Sequence, residues 1–291
     1  MKILILGSSG YLGFRLSKLL QQRHEVFGTF NKSGNESDSM VRWFGDSNSL
    51  LEIIKHFRPK LVINCVGLAD VDLCEVLPEK SFHLNATLPY QISKICAELE
   101  IKFVHISTDH FEGNQFLPSN EEMIVSCPNI YSASKLLGEF YVQSSNSESI
   151  IVRSNFFHFS LNSFKNFLDK CLNDPITFRN IDGFDDIFFT PISTGVLTSS
   201  ILKLVDLNFK GVINISSNER ISKYTFLQEV FEILQSKGRT ISPKSYADGN
   251  LLASRPMSMA LSNDKFRTLT SSEIPSISQM IRMELEYSDF I

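Results

Sequence analysis

The chain is expected to fold as an α/β protein, a doubly wound parallel sheet followed by a smaller C-terminal α/β lobe. Three observations predict this. A strand-like apolar run, Ile3-Leu4-Ile5-Leu6, feeds straight into a glycine turn and an amphipathic helix. Strand-like and helix-like segments then alternate to about Arg153 with no Pro/Gly-rich linker, and from Ser154 onward the alternation loosens. Strands buried on both faces read as continuous apolar runs, which is how these segments read.

The first turn is Gly7-Ser8-Ser9-Gly10-Tyr11-Leu12-Gly13, with glycines at intervals of three, and Leu12, Leu16, Leu19 and Leu20 recur behind it at helical spacing. A glycine turn between a first buried strand and a helix permits backbone amides to approach a pyrophosphate and the helix to pack closely on the strand, so the arrangement is Rossmann-like. Gly7, Gly10, Tyr11, Leu12 and Gly13 are therefore candidates to line a dinucleotide.

Glu25 to Phe30 reads as the second strand. It ends Thr29-Phe30-Asn31-Lys32, with no acid to hold a ribose 2′-hydroxyl. That ending favours NADPH over NADH, with Asn31 and Lys32 near the 2′-phosphate; the alternative is that Lys32 is an exposed loop charge. Ser33 to Ser39 reads as a mobile polar loop and Val41 to Phe44 as a short strand. Leu50 to Phe57 reads as a helix ended by Arg58-Pro59. Asp46 either accepts from an adenine amino group or caps that helix.

Lys60 to Gly67 is the next buried strand, and its small end, Cys65-Val66-Gly67, leaves room for a nicotinamide ribose. A helix follows through about Leu99, and Asn85 inside it needs a partner, so it is either a structural hydrogen-bonder or an orienter of a lysine and a water. Ile101 to Ile106 is a further strand, ending in Ser107-Thr108-Asp109-His110. In open parallel sheets ligands bind at the carboxyl ends of the strands. A loop of about twenty residues leads to a helix from Tyr131 to about Gln143. Ser149 to Arg153 is another strand, Thr194 to Val205 a helix and Gly211 to Ser216 a late strand rejoining the sheet. Ser222 to Leu234 is a helix with Ser222 as its N-cap, and a helix is expected near the C-terminus.

On this reading residues 1–155, with returning segments about 185–216, form the NADP-binding domain, and 156–184 with 217–291 form a substrate-binding lobe. Phe156, Phe157, Phe159, Phe164 and Phe167 crowd the second part, as core or as the lining of a substrate pocket. Arg255 has the planar fork to grip a phosphate.

The chemistry centres on Tyr131-Ser132-Ala133-Ser134-Lys135. Lys135 lies about one turn beyond Tyr131 on the same helix face. A phenol titrates near pH 10, and a neighbouring ammonium stabilises its phenolate enough for acid–base work. Thr108 supplies a hydroxyl to hold the substrate oxygen that the phenol protonates.

Composition limits the partners. A formal net charge of −4 and 43% hydrophobic residues over 291 positions give no reason to expect nucleic acid or an anionic membrane. No apolar run approaches a membrane span, and the opening residues have no signal-peptide pattern. Cys65, Cys74, Cys96, Cys127 and Cys171 include no C-x-x-C pair and read as reduced core thiols, favouring the cytoplasm. The six histidines lack metal-ligand spacing, so no metal is expected.

The chain resembles the extended short-chain dehydrogenase/reductases that act on nucleotide sugars, and within them the dTDP-4-dehydrorhamnose reductase group. The likeness runs through Gly7-x-x-Gly10-x-x-Gly13, Arg58-Pro59, Leu61 to Cys65, Val71-Asp72, Asn85-Ala86 and Ser107-Thr108-Asp109. It continues in Tyr131-x-x-x-Lys135-x-x-Gly138-Glu139, Val152-Arg153, Gly211 to Ser216, Ile221 to Tyr224 and Arg255-Pro256 with Leu261. The resemblance implies Thr108, Tyr131 and Lys135 as the catalytic triad, Asn85 as a supporting residue in the cofactor site, and a nucleotide-diphosphate sugar as substrate, with a homodimer as a candidate assembly. Asp109, His110, Asn155 and Phe156 fall where the sugar would lie. His110-Phe111 and Ser154-Asn155-Phe156 depart from the group's usual residues there, so the particular sugar stays open.

Two other readings compete. An epimerase needs a further acid–base pair, for which Cys127 and His158 are the candidates. Some relatives of this group bind NADP without turnover, as regulatory subunits. A dehydratase is disfavoured, because Asp109 is followed by His110 where that chemistry uses a glutamate.

Overall fold

A computed structural model describes residues 1–31, 37, 39–123, 126–159, 168, 180–235, 240–249 and 251–287. Lys32, most of the 33–39 loop, Phe164, Phe167, Cys171 and Asp174-Pro175 lie outside them. The chain divides into two compact units. One comprises residues 1–108, 127–153 and 198–213, the other 109–126, 154–197 and 214–291.

The first unit is built on a seven-stranded sheet. Its strands are β1 (Lys2–Leu6), β2 (Glu25–Phe30), β3 (Met40–Arg42), β4 (Leu61–Asn64), β5 (Lys102–Ile106), β6 (Ile150–Arg153) and the strand Gly211–Asn214. They run in the order Gly211–Asn214, β6, β5, β4, β1, β2, β3, and every pair from β6 to β3 is parallel. The order reverses between β1 and β4, where such sheets open a ligand crevice. Ile3, Leu4, Ile5, Leu6, Leu61, Val62 and Ile63 have no exposed surface. Each such side chain is worth roughly 1.5–3 kcal/mol relative to exposure, so the strands need no favourable local propensity to stay in place.

Helices α1 (Tyr11–Leu20) and α2 (Ser47–Phe57) follow β1 and β3. Arg58 ends α2 in the left-handed conformation, and Pro59 bars its continuation. The helix expected through about Leu99 runs without a break from Pro78 to Glu98 as α4 (Pro78–Phe82), a π-helical turn (His83–Thr87) and α5 (Leu88–Glu98), preceded by α3 (Val71–Val76). Helix α6 (Ile130–Ser145) begins at Asn129, whose side chain accepts from Ser132 N in a reciprocal capping box.

The second unit contains three two-stranded pairings: Phe156–Phe157 with Ile192–Ser193, Phe188–Phe189 with Ile221–Ser222, and Asn180–Phe184 with Thr240–Lys244. Edge-to-face contacts of Phe226 with Phe157 and Phe189, centroids 5.1 and 5.4 Å apart, make its aromatic core. The predicted unit boundaries need correction, because residues 109–126 and 185–197 belong here. The physical reason for the first is hydrogen bonding: Gly113 N donates to Ser258 O and Ser119 N to Ala260 O along the backbone, and Asn214 N donates to the side-chain Glu121 Oε1. The second follows the strands Phe188–Phe189 and Ile192–Ser193, whose partners lie in this unit.

Among the described residues no helix is long and apolar enough to cross a membrane, and Cys65, Cys74, Cys96 and Cys127 carry free thiols.

Candidate active site

The glycine turn sits at the point where the strand order reverses. Gly7 takes φ +80°, a conformation costly for any side chain, and a Cβ there would also press on Val66 Cγ2 at 3.1 Å. A Cβ on Gly13 would fall on the Gly7 carbonyl, so α1 lies against the turn as closely as backbone permits. Gly7 N donates to Thr29 Oγ1 at 3.1 Å and Ser8 N to Thr29 O at 2.8 Å, fixing the turn to the end of β2. Gly10 caps α1 without a side-chain hydrogen bond. Such a helix start offers its first-turn amides to an anion, and the shape fits a dinucleotide pyrophosphate. Gly10 and Gly13 flank Tyr11 and Leu12 at this start, with Leu12 buried.

Beside it, the end of β4 is held by Cys65 N donating to Leu6 O at 3.0 Å and Val66 N to Asn64 Oδ1 at 3.1 Å. Burial pushes the Cys65 thiol up to about 12 although Lys135 opposes it, so Cys65 is a neutral thiol at working pH. Gly67 adjoins Asn85: a Cβ on Gly67 would lie 3.0 Å from Asn85 Oδ1.

Helix α6 carries the Tyr131–Lys135 pair. Its start is fixed twice, by the Asn129 cap and by Ile130 N donating to Glu75 Oε1 at 2.7 Å, which locks the backbone one residue before Tyr131. Lys135 is buried, and its Nζ donates to Ile106 O at 2.7 Å. Burial lowers its pKa to about 8, with the Glu139 carboxylate pulling the other way. The structure thus ties α6 to β5 two residues before Thr108, which is itself buried, and places Thr108, Tyr131 and Lys135 within one unit.

Two predicted cofactor residues have structural roles. Asp46 caps α2, its carboxylate accepting from Ser49 N at 2.8 Å and from the Ser49 hydroxyl, as the capping reading expects. Asn85 is a structural hydrogen-bonder: its Nδ2 donates to Leu68 O and to Ser134 Oγ, both at 3.0 Å, and its Oδ1 accepts from Leu68 N at 2.8 Å. Its amide therefore holds the loop after β4 against α6. Asn31 is exposed at the end of β2, and Lys32 lies outside the described residues. Sequence reasoning overlooked Arg42, which the β2–β3 register sets opposite Phe30, its guanidinium 5.4 Å from that ring.

In the second unit, buried Asp109 accepts from Asn155 Nδ2 at 2.9 Å. Burial raises its pKa, while Lys223 and Asn155 lower it. Lys223, also overlooked, lies 3.4 Å from the centroid of the Phe189 ring, and burial lowers its pKa to about 8 against the pull of Asp109. Burial, then Arg255 and Lys223, push His110 down to about 3, so it is a neutral ring at working pH. Asp109, His110, Asn155, Lys223 and Arg255 therefore share one electrostatic environment, whereas Phe156 is a half-buried member of the pairing with Ile192.

The two epimerase candidates sit in different surroundings. His158 is buried with Nδ1 3.3 Å from Thr194 Oγ1, and burial raises the Cys127 thiol. No group of three or more metal-ligating side chains occurs among the described residues. A cleft of about 440 Å³ opens at the amino-terminal ends of β5 and β6. Its Lys102 ammonium donates to Val205 O and Asn208 Oδ1, so it lies away from this chemistry.

A parallel sheet with a glycine turn at its switch point, and a Thr–Tyr–Lys set just past the end of β5 and in the first turns of α6, define an oxidoreductase of the short-chain dehydrogenase/reductase class that takes a nicotinamide dinucleotide. More narrowly, residues 1–287 match the family described as RmlD substrate binding domain, and the chain belongs to that family. A probable low-salt glycan biosynthesis reductase, Agl14, of Haloferax volcanii is 26% identical, covering 98% of each chain. Methionine adenosyltransferase 2 subunit beta of Pongo abelii is 25% identical, covering 92% of this chain and 82% of its own. Among solved structures, dTDP-4-dehydrorhamnose reductase of Bacillus anthracis in complex with NADP superposes with a TM-score of 0.83 at 21% identity, over 98% of this chain and 99% of that one. At that identity the likeness is one of fold.

Proposed function

We propose that this protein is an NADPH-dependent reductase of a 4-keto-6-deoxy nucleotide sugar, acting in the synthesis of a surface glycan. The observation that carries the proposal is Lys135, a buried ammonium anchored on Ile106 O one helical turn beyond Tyr131. A buried cation is costly unless it has work to do, and beside a phenol its work is to stabilise the phenolate. The names of the Haloferax and Bacillus relatives support the direction.

In this reaction bound NADPH supplies the hydride. The Thr108 hydroxyl donates a hydrogen bond to the substrate carbonyl oxygen and polarises it. Tyr131 Oη gives its proton to the alkoxide oxygen as the carbonyl is reduced, and the Lys135 ammonium lowers the cost of the phenolate left behind. Asp109, Asn155, Lys223 and Arg255 offer the polar and cationic groups that would orient a sugar diphosphate. The proposal extends to a cytoplasmic homodimer, an assembly that sedimentation would test.

A second reading is supported by the methionine adenosyltransferase relative, whose name marks it as a subunit of another enzyme. On that reading the chain binds NADP and alters a partner's kinetics without turnover.

Absorbance assays of NADPH and NADH oxidation, with a panel of 4-keto-6-deoxy nucleotide sugars and with Tyr131→Phe beside the wild type, separate the two. Turnover lost in the variant supports the reductase. Tight NADPH binding with no turnover on any sugar favours the subunit.

A further inference from the structure

Beneath the Tyr131–Lys135 pair lies a buried charge network that the mechanism above does not use. Glu139, four residues beyond Lys135 on the same face of α6, is 3% exposed. Arg153, the last residue of β6, grips it bidentately: Nε lies 3.0 and 3.1 Å from the two carboxylate oxygens and Nη2 2.7 Å from Oε2. The Ser107 hydroxyl also donates to Glu139 Oε1, and Ser107 N donates to Val152 O at 2.7 Å. One carboxylate therefore joins α6, the end of β6 and the residue before Thr108.

A buried ion pair alone is weak evidence of stabilisation, since hydrophobic residues of similar volume often serve as well. This pair has a specific neighbour. The charged and titratable groups around Lys135 include Tyr131 and Glu139, one turn to either side on its own helix, Cys65 at the end of β4, His105 on β5, and Arg153 on β6 acting through Glu139. Cys127 faces Glu139 and Arg153. Burial holds Cys65 as a thiol and His105 as a neutral ring. His105 further engages Asn64 Nδ2 at 3.2 Å through Nδ1. Glu139 is thus the carboxylate within this set, and the bidentate grip of Arg153 fixes its rotamer.

We infer that Glu139 is a positioning residue of the reaction, the counter-charge that Arg153 locks beside the Lys135 ammonium. The inference deepens the reductase reading and rests on it for its functional meaning. Glu139 touches neither cofactor nor substrate; it acts through Lys135.

The test measures Lys135 directly. In protein carrying lysine labelled with carbon-13 at Cε, the Lys135 resonance is assigned by its absence in Lys135→Met and titrated from roughly pH 6 to 11, on wild type, Glu139→Gln, Arg153→Met and the double variant Glu139→Gln/Arg153→Met. Removing an opposite charge within helical-neighbour distance shifts a titration by about one unit or more. Glu139→Gln, which also takes the carboxylate away from the Arg153 guanidinium, is expected to weaken proton binding at Lys135 at least ~10-fold. The double variant removes both charges, and its Lys135 should titrate between wild type and Glu139→Gln. The alkaline limb of kcat/KM moves in the same order.

Titration at one pH in all folded variants overturns the inference, as does a uniform loss of rate at every pH with an unmoved limb. If Glu139→Gln does not fold, the double variant still decides, since its Lys135 must titrate below the wild type. A wild type without turnover on any sugar would instead overturn the reductase reading, and the resonance would still report whether Glu139 governs Lys135.

Discussion

The Asn85 amide nitrogen lies 3.0 Å from the Ser134 hydroxyl and 3.0 Å from the Leu68 carbonyl, so one buried side chain joins the π-helical turn to the Tyr131 helix and to the loop after β4. A π turn projects its side chains differently from the α-helix around it, which brings Asn85 within reach of both. Close approach is permitted by Gly138, where a Cβ would fall on the Asn85 carbonyl.

Asn85→Ala should leave the Leu68 N–H and C=O without their side-chain partner inside the fold. Each buried polar group so orphaned costs about 1–3 kcal/mol, and a total loss of about 2–4 kcal/mol is expected by urea denaturation. Because the loop after β4 loosens, NADPH affinity should fall in the same variant; unchanged affinity would limit Asn85 to a role in stability.

Gly13→Ala adds one methyl group against the Gly7 carbonyl, backbone that cannot rotate away. Overpacking of this kind costs typically ~1–3 kcal/mol, and the strain is relieved only by pushing α1 off the turn. NADPH binding, followed by fluorescence, is expected to weaken at least ~10-fold, since the helix start and the turn present the pyrophosphate amides together. Full affinity in Gly13→Ala would mean that the turn does not hold the phosphates.

The low pKa of Lys135 predicts a particular dependence of stability on pH. Its value falls from 10.5 to about 8 on folding, so between those values the unfolded chain binds the extra proton. The buried charge therefore penalises the folded apo protein fully below about pH 8, and the penalty is relieved as pH rises from 8 to 10.5. Compared with Lys135→Met, the wild type should gain about 3 kcal/mol across that window, measured by chemical denaturation at each pH. A difference that stays flat with pH would show that Lys135 is not held in a low-dielectric site. Turnover should be lost in the variant even at pH values where it is the more stable protein.

Much of this architecture is legible locally. Ile3 to Leu6, the glycines at intervals of three and the Tyr131–Lys135 spacing each report on structure within a turn or a strand, so residue order suffices to place them. The misplaced features depend on distant partners. Asn85 meets residues 17 and 49 positions away, and nothing near it signals the π turn. Residues 109–126 join the second unit through bonds to Ser258 and Ala260, which no local pattern announces. Lys223 sits one position after a correctly read N-cap, Ser222, but its seat over Phe189 follows from the pairing of Ile221 with Phe189. Asp46 had two readings consistent with its position, and the capping one shows only in its contacts with Ser49.

Arg42 gives the last prediction, because it bears on which dinucleotide is bound. Phe30 is the final residue of β2, and parallel register places Arg42 directly beside it on β3, with the guanidinium over the Phe30 ring and Asn31 next in the chain. Enzymes that take NADPH commonly set an arginine near this strand end for the 2′-phosphate. A guanidinium presents a planar fork to phosphate, and stacking on an aromatic ring restrains it beforehand, so less freedom is lost on binding. A hydrogen bond to a charged group is worth about 1.5–3 kcal/mol, and Arg42→Ala should therefore weaken NADPH binding about 10- to 100-fold. NADH lacks the 2′-phosphate, and its affinity should not change. Arg42→Lys, which keeps the charge and loses the fork, should fall between them. Calorimetry with NADPH, NADH and adenosine 2′,5′-bisphosphate reads each effect without turnover. If Arg42→Ala weakens NADPH and NADH alike, Arg42 supports the edge of the sheet and the choice of cofactor rests on other residues at the end of β2.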